Sequence, residues 1–374
     1  MGSGRRVPVA IAHDYLTQQG GAERVVLALS AEFPDAPIYT TIYHPEGTYP
    51  EFRERRVLTT PLDRVRLLRA DHRRGLPVFA TAVSATTIDA DVTLVSSSGW
   101  AHGFRTTGRK LVYCHNPARW LYQADEYLGE DAGPLLRACL RGLTPALTRW
   151  DRRAAAGADR YLANSRVVRE RIATTYGIDA EVLPPPPGLR TEGGQQAHPE
   201  LADLAGRRYW LVVSRLLPYK NVRQVVEAFR DRPEHLVVVG AGPEREALER
   251  DLPARVRLVS GLTDDELRWT YAHAAGLVAA SLEDFGLTPL EANAWGLPVV
   301  ALRAGGYLDT VVDGRNGLFF VESTPEQISE AVDRATSREW SPRVLAAHVD
   351  GFSEVAFRRR IREIVSEVAG TTRP

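Results

Sequence analysis

Residues 277–291 read Leu-Val-Ala-Ala-Ser-Leu-Glu-Asp-Phe-Gly-Leu-Thr-Pro-Leu-Glu. Leu277 to Ala280 is a short apolar run, the pattern of a strand buried on both faces. Thr288 then suits a helix N-cap, Pro289 the first helical position and Glu291 the third. A strand running through a glycine loop into a helix is one unit of a parallel sheet. In such sheets ligands sit beyond the carboxyl ends of the strands. The N–H groups of that helix start, with Gly286 allowing close approach, form an anion site suited to phosphate. Thr288-x-x-Glu291 also fits a capping box, in which Glu291 only bonds back to the Thr288 N–H.

The same alternation extends both ways. Trp210 to Val213, Leu236 to Val239, Val256 to Val259, Val299 to Leu302 and Leu318 to Val321 read as strands, with helices beginning near Asn221, Pro243, Asp264, Pro289 and Pro325. Upstream, Val7 to Ala12, Val92 to Val95, Leu111 to Cys114 and Tyr161 to Ala163 repeat the pattern. Between the two series stands Pro184 to Pro187, which cannot join a helix or a central strand. The expectation is two doubly wound α/β domains. The final amphipathic segment, Phe352 to Val368, could pack on either.

Composition narrows the classes. The 374 residues are 44% hydrophobic and 25% charged, as in an ordinary globular chain. Basic and acidic side chains number 47 each, without the basic excess of a nucleic-acid binder. Cys114 and Cys139 are too few for a disulfide framework. No apolar run approaches the ~20 residues of a membrane span, and Met1 to Arg6 lacks the apolar core of a signal peptide, so the reading is cytoplasmic. Of the basic residues only Lys110 and Lys220 are lysine.

That rarity gives weight to Ser214-Arg-Leu-Leu-Pro-Tyr-Lys220, which follows a strand and offers a guanidinium and a compact ammonium. Gly240-Ala-Gly242 and Ser260-Gly261-Leu262 follow other strands, where glycine would let a nucleobase or ribose approach the backbone, although ordinary βα turns look the same. In the first half, Gly20 and Gly21 open the first helix near a strand end. They are candidates for approaching phosphate or sugar, or form a plain turn. His115 stands at another strand end. Arg119, Trp120, Tyr122 and Tyr127 follow it; aromatic faces stack on sugars and arginine holds anions, so these are candidate acceptor contacts, although Trp120 and Tyr122 fit a core equally well. Asp89-Ala-Asp91 matches a metal-binding DxD, but it precedes a strand instead of following one, and we expect no metal site. Ser165, after Asn164, reads as a helix N-cap. Arg53 to Arg74 interleaves arginine with leucine and valine. It fits either a solvated helix face or a basic surface touching anionic lipid.

The Arg215/Lys220 pair, the Glu283 to Glu291 segment, Pro298-Val-Val and Gly305-Gly306 resemble the nucleotide-sugar half of retaining GT-B glycosyltransferases (glycosyl transferases group 1), the large family that includes bacterial polysaccharide mannosyltransferases and sucrose synthases. The likeness covers about residues 205–370. It implies an α/β fold of two Rossmann-like domains facing a central cleft. Residues 1–185 would form the acceptor side, with a C-terminal helix at about 352–370 packing back on it, and residues 186–350 would bind the donor. It further implies a cofactor-free, metal-independent hexosyl transfer from a nucleoside-diphosphate sugar to a glycan, lipid-linked or small-molecule acceptor. Arg215 and Lys220 would neutralise the diphosphate, and the amides of Phe285, Gly286 and Leu287 would bind it. Glu291 would take the ribose and Glu283 the donor sugar. The Gly20-Gly21 loop would line the cleft, and His115 would contact the sugar or orient the reactive centre. The stretch from His115 to Tyr122 resembles bacterial mannosyl- and rhamnosyltransferases, so GDP-mannose is the first guess as donor. No nucleic-acid partner is expected, and a peripheral contact with the inner face of a membrane is left open. Asn293 and Asp309 depart from the family pattern, which commonly has Met and Glu there. The alternatives are a sugar-nucleotide epimerase on a similar fold and a non-catalytic nucleotide-binding module, the latter disfavoured by the two carboxylates and the cation pair. No G-x-G-x-x-G follows the first strand, which disfavours a dehydrogenase.

Overall fold

The structure is a computed structural model that describes residues 7–70, 75–123 and 134–370. Tyr127, the four C-terminal residues of the Arg53–Arg74 stretch and Met1 to Arg6 lie outside the described residues. The chain divides into two compact units, Met1–Pro185 with Glu354–Pro374, and Pro186–Ser353. The division falls inside the proline run.

In the first unit the strands are β1 (Val9–His13), β2 (Ile38–Thr40), β3 (Val57–Thr59), β4 (Thr87–Ile88), β5 (Val92–Ser97), β6 (Arg105–Thr106), β7 (Arg109–Cys114), β8 (Arg160–Ala163) and β9 (Glu181–Val182). Seven of them form one parallel sheet in the order β3-β2-β1-β5-β7-β8-β9, and β4 pairs with β6 apart from it. The period-two alternation of strands sorts the side chains onto two faces. Ile11, Leu94, Leu111 and Tyr113 pack with Val25, Val26 and Leu29 of helix α1 (Gly21–Glu32) and with Phe357, Ile361 and Ile364 of the last helix, Glu354–Gly370. Ala10, Ala12, Val95 and Val112 face the opposite core, with Phe79, Trp100, Val168 and Ile172. The last helix is also tied electrostatically: Arg358 and Arg362 both meet Glu32 of α1.

The second unit has β10 (Tyr209–Val213), β11 (His235–Val239), β12 (Val256–Val259), β13 (Ala274–Ala279), β14 (Val299–Leu302) and β15 (Gly317–Phe320). They form a parallel sheet in the order β12-β11-β10-β13-β14-β15. The order reverses between β10 and β13, so the crevice that receives ligands in doubly wound folds opens at the carboxyl ends of those two strands. In the first unit the reversal lies between β1 and β5.

The long apolar runs lie where the sequence reading puts them. The strands it lacks, β2, β3, β4, β6 and β9, have three residues or fewer, at or near an edge of the main sheet or, for β4 and β6, in the separate pair. A run that short carries no readable period. Among the described residues no helix is long and apolar enough to cross a membrane.

Candidate functional site

In the second unit the loops after β10 and β13 are joined side chain to side chain. Pro218–Lys220 makes a single 3-10 turn that ends at Asn221, whose φ of 55° is left-handed. Asn tolerates this conformation better than most residues, and here its amide donates to the Ala280 carbonyl at 2.9 Å. That bond ties the turn to the end of β13. Lys220 is buried, and its ammonium forms an ion pair and hydrogen bond with the Glu283 carboxylate. Ser281 Oγ donates to the same Glu283 oxygen at 2.6 Å and lies 3.0 Å from Tyr307 Oη. Taking two charges out of water costs several kcal/mol per ion unless further hydrogen bonds satisfy them. Ser281 supplies one. Arg215 is exposed, with one guanidinium N–H donating to Tyr219 Oη at 3.2 Å.

Helix Leu287–Ala294 begins one residue before Thr288, after Gly286 at φ 83°, and no side chain caps it. This corrects the N-cap placed at Thr288 and removes the capping-box reading of Glu291. Glu291 lies a turn into the helix and accepts from Tyr271 Oη at 3.0 Å. The sequence could not show this, because Tyr271 comes from helix Asp264–His273 on the other side of β13. Gly286 is demanded by its φ and by packing, since a Cβ there would come 2.5 Å from the Tyr307 ring. Gly305 and Gly306 back the same loop: the Gly306 N–H donates to the Glu283 carbonyl at 2.8 Å, and a Cβ on Gly306 would lie 2.2 Å from Phe285 Cα.

The other glycines divide. A Cβ at Gly240 would fall 1.9 Å from the Ser214 carbonyl oxygen and one at Gly242 2.3 Å from that of Leu216. These two therefore serve backbone packing, the βα-turn alternative of the sequence reading. Gly261, at φ 75°, faces open space, and Leu262 beside it is half-buried. Asn293, a departure from the family pattern, is fully buried. It donates to the Leu297 and Asn316 carbonyls and accepts from the Asn316 amide, so a thioether there could not replace it.

The first unit holds its own cluster. His115, just beyond β7, is buried, with Nε2 2.8 Å from Ser96 Oγ. Burial, reinforced by the nearby His13, lowers its pKa to about 3, so the ring is neutral. The Asn164 amide donates to its carbonyl at 3.1 Å, while Ser165 caps the following helix through Val168 N–H. Asp14, also buried, accepts from the backbone N–H groups of Ser98, Trp100 and Ala101. Gly20 is the N-cap of α1, and Gly21 is exposed at its first position. Trp120 does not line an open surface. It is buried and stacks on Trp100 with ring centroids 3.8 Å apart, which corrects its reading as a sugar platform. Tyr122 is likewise turned to the core, its hydroxyl donating to buried Asp151 at 2.7 Å. Arg119 is half-buried on the same short helix, Arg119–Tyr122. The second lysine, Lys110, is structural. It donates to the His102 carbonyl at 2.8 Å, and burial lowers its pKa to about 8.

Ser96, His13, Asp14, Asn221, Tyr271, Ser281 and Tyr307 are polar members of these clusters that sequence reasoning did not single out. The available signal was position: His13, Ser96 and Ser281 each end or follow an apolar strand. Among the described residues no group of three or more His, Cys, Asp or Glu side chains is placed to hold a metal ion.

The chain matches known proteins in both halves. The family described as "Glycosyltransferase Family 4" matches residues 19–187, and "Glycosyl transferases group 1" matches residues 195–347. A GDP-mannose-dependent alpha-(1-6)-phosphatidylinositol monomannoside mannosyltransferase of Mycolicibacterium smegmatis is 33% identical over 208 residues, 48% of this chain and 54% of that protein. A D-inositol 3-phosphate glycosyltransferase of Frankia alni is 28% identical over 222 residues, 52% of this chain and 54% of that protein. The matches thus span about half the length of these relatives. Among solved structures, Anabaena HepE in complex with UDP-glucose superposes with a TM-score of 0.68 at 17% identity, covering 96% of this chain and all of that one. The sucrose-phosphate synthase of Thermosynechococcus elongatus gives 0.68 at 18%, covering 97% and 99%. With two doubly wound parallel sheets, a GT-B match along nearly its whole length and a family match in each half, the chain belongs to the group 1 glycosyltransferases.

Proposed function

We propose that the protein is a retaining hexosyltransferase that takes its sugar from a nucleoside diphosphate and passes it to a hydroxyl of a glycan, lipid-linked or small-molecule acceptor. The observation that carries this reading is the ion pair of buried Lys220 with half-buried Glu283, set at the sheet's switch point beside a helix start that no side chain caps. A departing diphosphate needs positive charge and N–H donors converging on one place, and a sugar needs a fixed carboxylate beside them. Arg215, Lys220 and the Phe285, Gly286 and Leu287 amides fill the first role, Glu283 the second. Glu291 binds the ribose, and Gly261 with Leu262 leaves room for the base. Lys220 and Ser281 both hold the Glu283 carboxylate, the kind of fixed arrangement in which electrostatic stabilisation is most effective.

In the proposed reaction the bond from the anomeric carbon to the diphosphate oxygen breaks, and the acceptor oxygen bonds on the same face. The acceptor proton passes to the departing phosphate oxygen, so no protein base is required. Neither metal nor cofactor has a part in this scheme. GDP-mannose is the proposed donor, supported by the mycobacterial relatives named for it and by the His115 segment.

Thermal unfolding with GDP, UDP and ADP and their sugars tests the reading. A ligand at 100 times its Kd stabilises by about 2.7 kcal/mol, so GDP-mannose should raise Tm most. Glu291→Gln keeps an acceptor for Tyr271, so its ligand-free Tm should match that of the native protein while the nucleotide shift falls. If no nucleotide shifts Tm, the reading fails. Consumption of the donor without any acceptor would favour the epimerase.

The acceptor side is proposed to meet the inner face of a membrane. Val65 and Leu67 are 45% and 55% exposed and alternate with exposed Arg64 and Arg66. Apolar side chains flanked by cations suit an anionic lipid surface. Co-sedimentation with phosphatidylglycerol vesicles should be lost in Arg64→Glu/Arg66→Glu. Equal binding by that variant would place the contact elsewhere.

A further inference from the structure

His115 belongs to a chain of buried polar groups that the donor chemistry leaves unused. His13, at the end of β1, has Nδ1 3.1 Å from the Ser96 carbonyl oxygen and 3.1 Å from Ser96 Oγ. Ser96 Oγ lies 2.8 Å from His115 Nε2. Beyond His13, its Nε2 stands 3.8 Å from Glu23 Oε1. All four residues are buried.

The position of each hydrogen follows from the partners. A carbonyl oxygen only accepts, so His13 Nδ1 carries a hydrogen. Ser96 Oγ therefore faces a donor at His13. The acceptor left within its reach is His115 Nε2, and the serine hydrogen goes there. A ring nitrogen that accepts is unprotonated, so neutral His115 carries its hydrogen on Nδ1. Among the described residues Nδ1 has no protein partner.

We propose that Ser96, held in place by the His13–Glu23 pair, is a positioning residue that fixes His115 in its Nδ1–H form, so that His115 meets a substrate oxygen as a neutral hydrogen-bond donor and not as a base. This rests on the reading of His115 as a ligand-facing residue. The charges around the chain agree with it. Burial opposes a charge on His13, but the hydrogen bond and charge of Glu23, with Asp14 and the Ser96 carbonyl, outweigh burial and raise its pKa. His115 is pushed the other way by burial and by His13 itself. Two imidazoles bridged by one serine do not both take a proton, because like charges this close disfavour each other. The proton stays on the side facing Glu23.

The arrangement also explains Gly20 without a ligand. A Cβ on Gly20 would come 2.6 Å from Glu23 Oε2, so the glycine leaves space for the carboxylate that anchors the chain. The first glycine of the pair thus reaches His115 through Glu23, His13 and Ser96.

Nitrogen-15 NMR of the imidazoles reads the tautomer directly, with His115 assigned by its loss in His115→Gln. The native protein should show His115 protonated at Nδ1 and bare at Nε2. Ser96→Ala should shift the ring toward the Nε2–H form, and Ser96→Thr, which keeps the hydroxyl, should retain Nδ1–H. With GDP-mannose as donor, Ser96→Ala should lower kcat/KM about tenfold, the worth of one hydrogen bond, and Ser96→Thr should recover most of it. A native His115 protonated at Nε2, or a Ser96→Ala protein with an unchanged tautomer, overturns the proposal. If Ser96→Ala does not fold, the native tautomer decides alone. The NMR result needs no substrate, so it is separable from a failure of glycosyl transfer, which would appear as absent turnover with an intact Nδ1–H ring.

Discussion

Lys220→Ala is expected to lower kcat/KM for glycosyl transfer by about 10²–10³, the usual cost of removing one preorganised electrostatic donor from a transition state. The side chain is buried at the end of β10 and its ammonium meets Glu283. The variant therefore has a second consequence: a partly buried carboxylate is left with Ser281 Oγ at 2.6 Å but no cation. Breaking a buried pair by removing one partner is destabilising, because the other charge is stranded. The two effects can be separated. Lys220→Ala/Glu283→Gln removes the stranded charge and should recover Tm without recovering turnover. Should the double variant regain activity, Lys220 would serve only to neutralise Glu283, and the diphosphate role would pass to Arg215 and the helix amides. Arg215→Ala should impair transfer with little change in Tm, since Arg215 is exposed and, among the described residues, its hydrogen bond is to Tyr219.

Asp14→Ala should produce the largest loss of stability. Its carboxylate accepts from three backbone N–H groups, those of Ser98, Trp100 and Ala101, as the chain turns from β5 into the Ala101–Gly103 turn. Each buried donor left unpaired costs about 1–3 kcal/mol, so the three together amount to about 3–9 kcal/mol. That is a large share of the roughly 5–15 kcal/mol by which a folded protein is stable. Denaturant unfolding at neutral pH measures it. A loss below about 1 kcal/mol would mean that water replaces the carboxylate, and that the turn after β5 is less closed than its burial indicates. Asp14→Asn should fall between, since one amide oxygen can serve Trp100 and Ala101 while its NH₂ meets Ser98 N–H donor to donor.

Much of the architecture follows from local patterns that neighbouring residues can express. Strands buried on both faces need continuous apolar runs, and each of the long runs is a strand. The proline run marks the division between units because no helix or central strand can pass through it. The loop residues after β10 and β13 are recognisable for the same local reason: a cation pair or a carboxylate directly after a buried strand points to the carboxyl edge of a sheet. By itself, then, the sequence determined the α/β class, the point of division and the sheet edge that carries Lys220 and Glu283. The rest depends on groups far apart in the chain. Glu291 could be a cap or a ligand until Tyr271 was found against it and the helix was seen to start at Leu287. Trp120 could face sugar or core until Trp100 was found stacked on it. Gly240, Gly242 and Gly20 look like ligand glycines, yet their missing Cβ atoms are required by Ser214, Leu216 and Glu23. The link from Glu23 through His13 and Ser96 to His115 joins residues 13 to 115 of the chain across three strands. Tertiary structure alone decides such assignments, because a hydrogen bond or a clash is fixed within a few tenths of an ångström, and sequence spacing says nothing about distances across parallel strands.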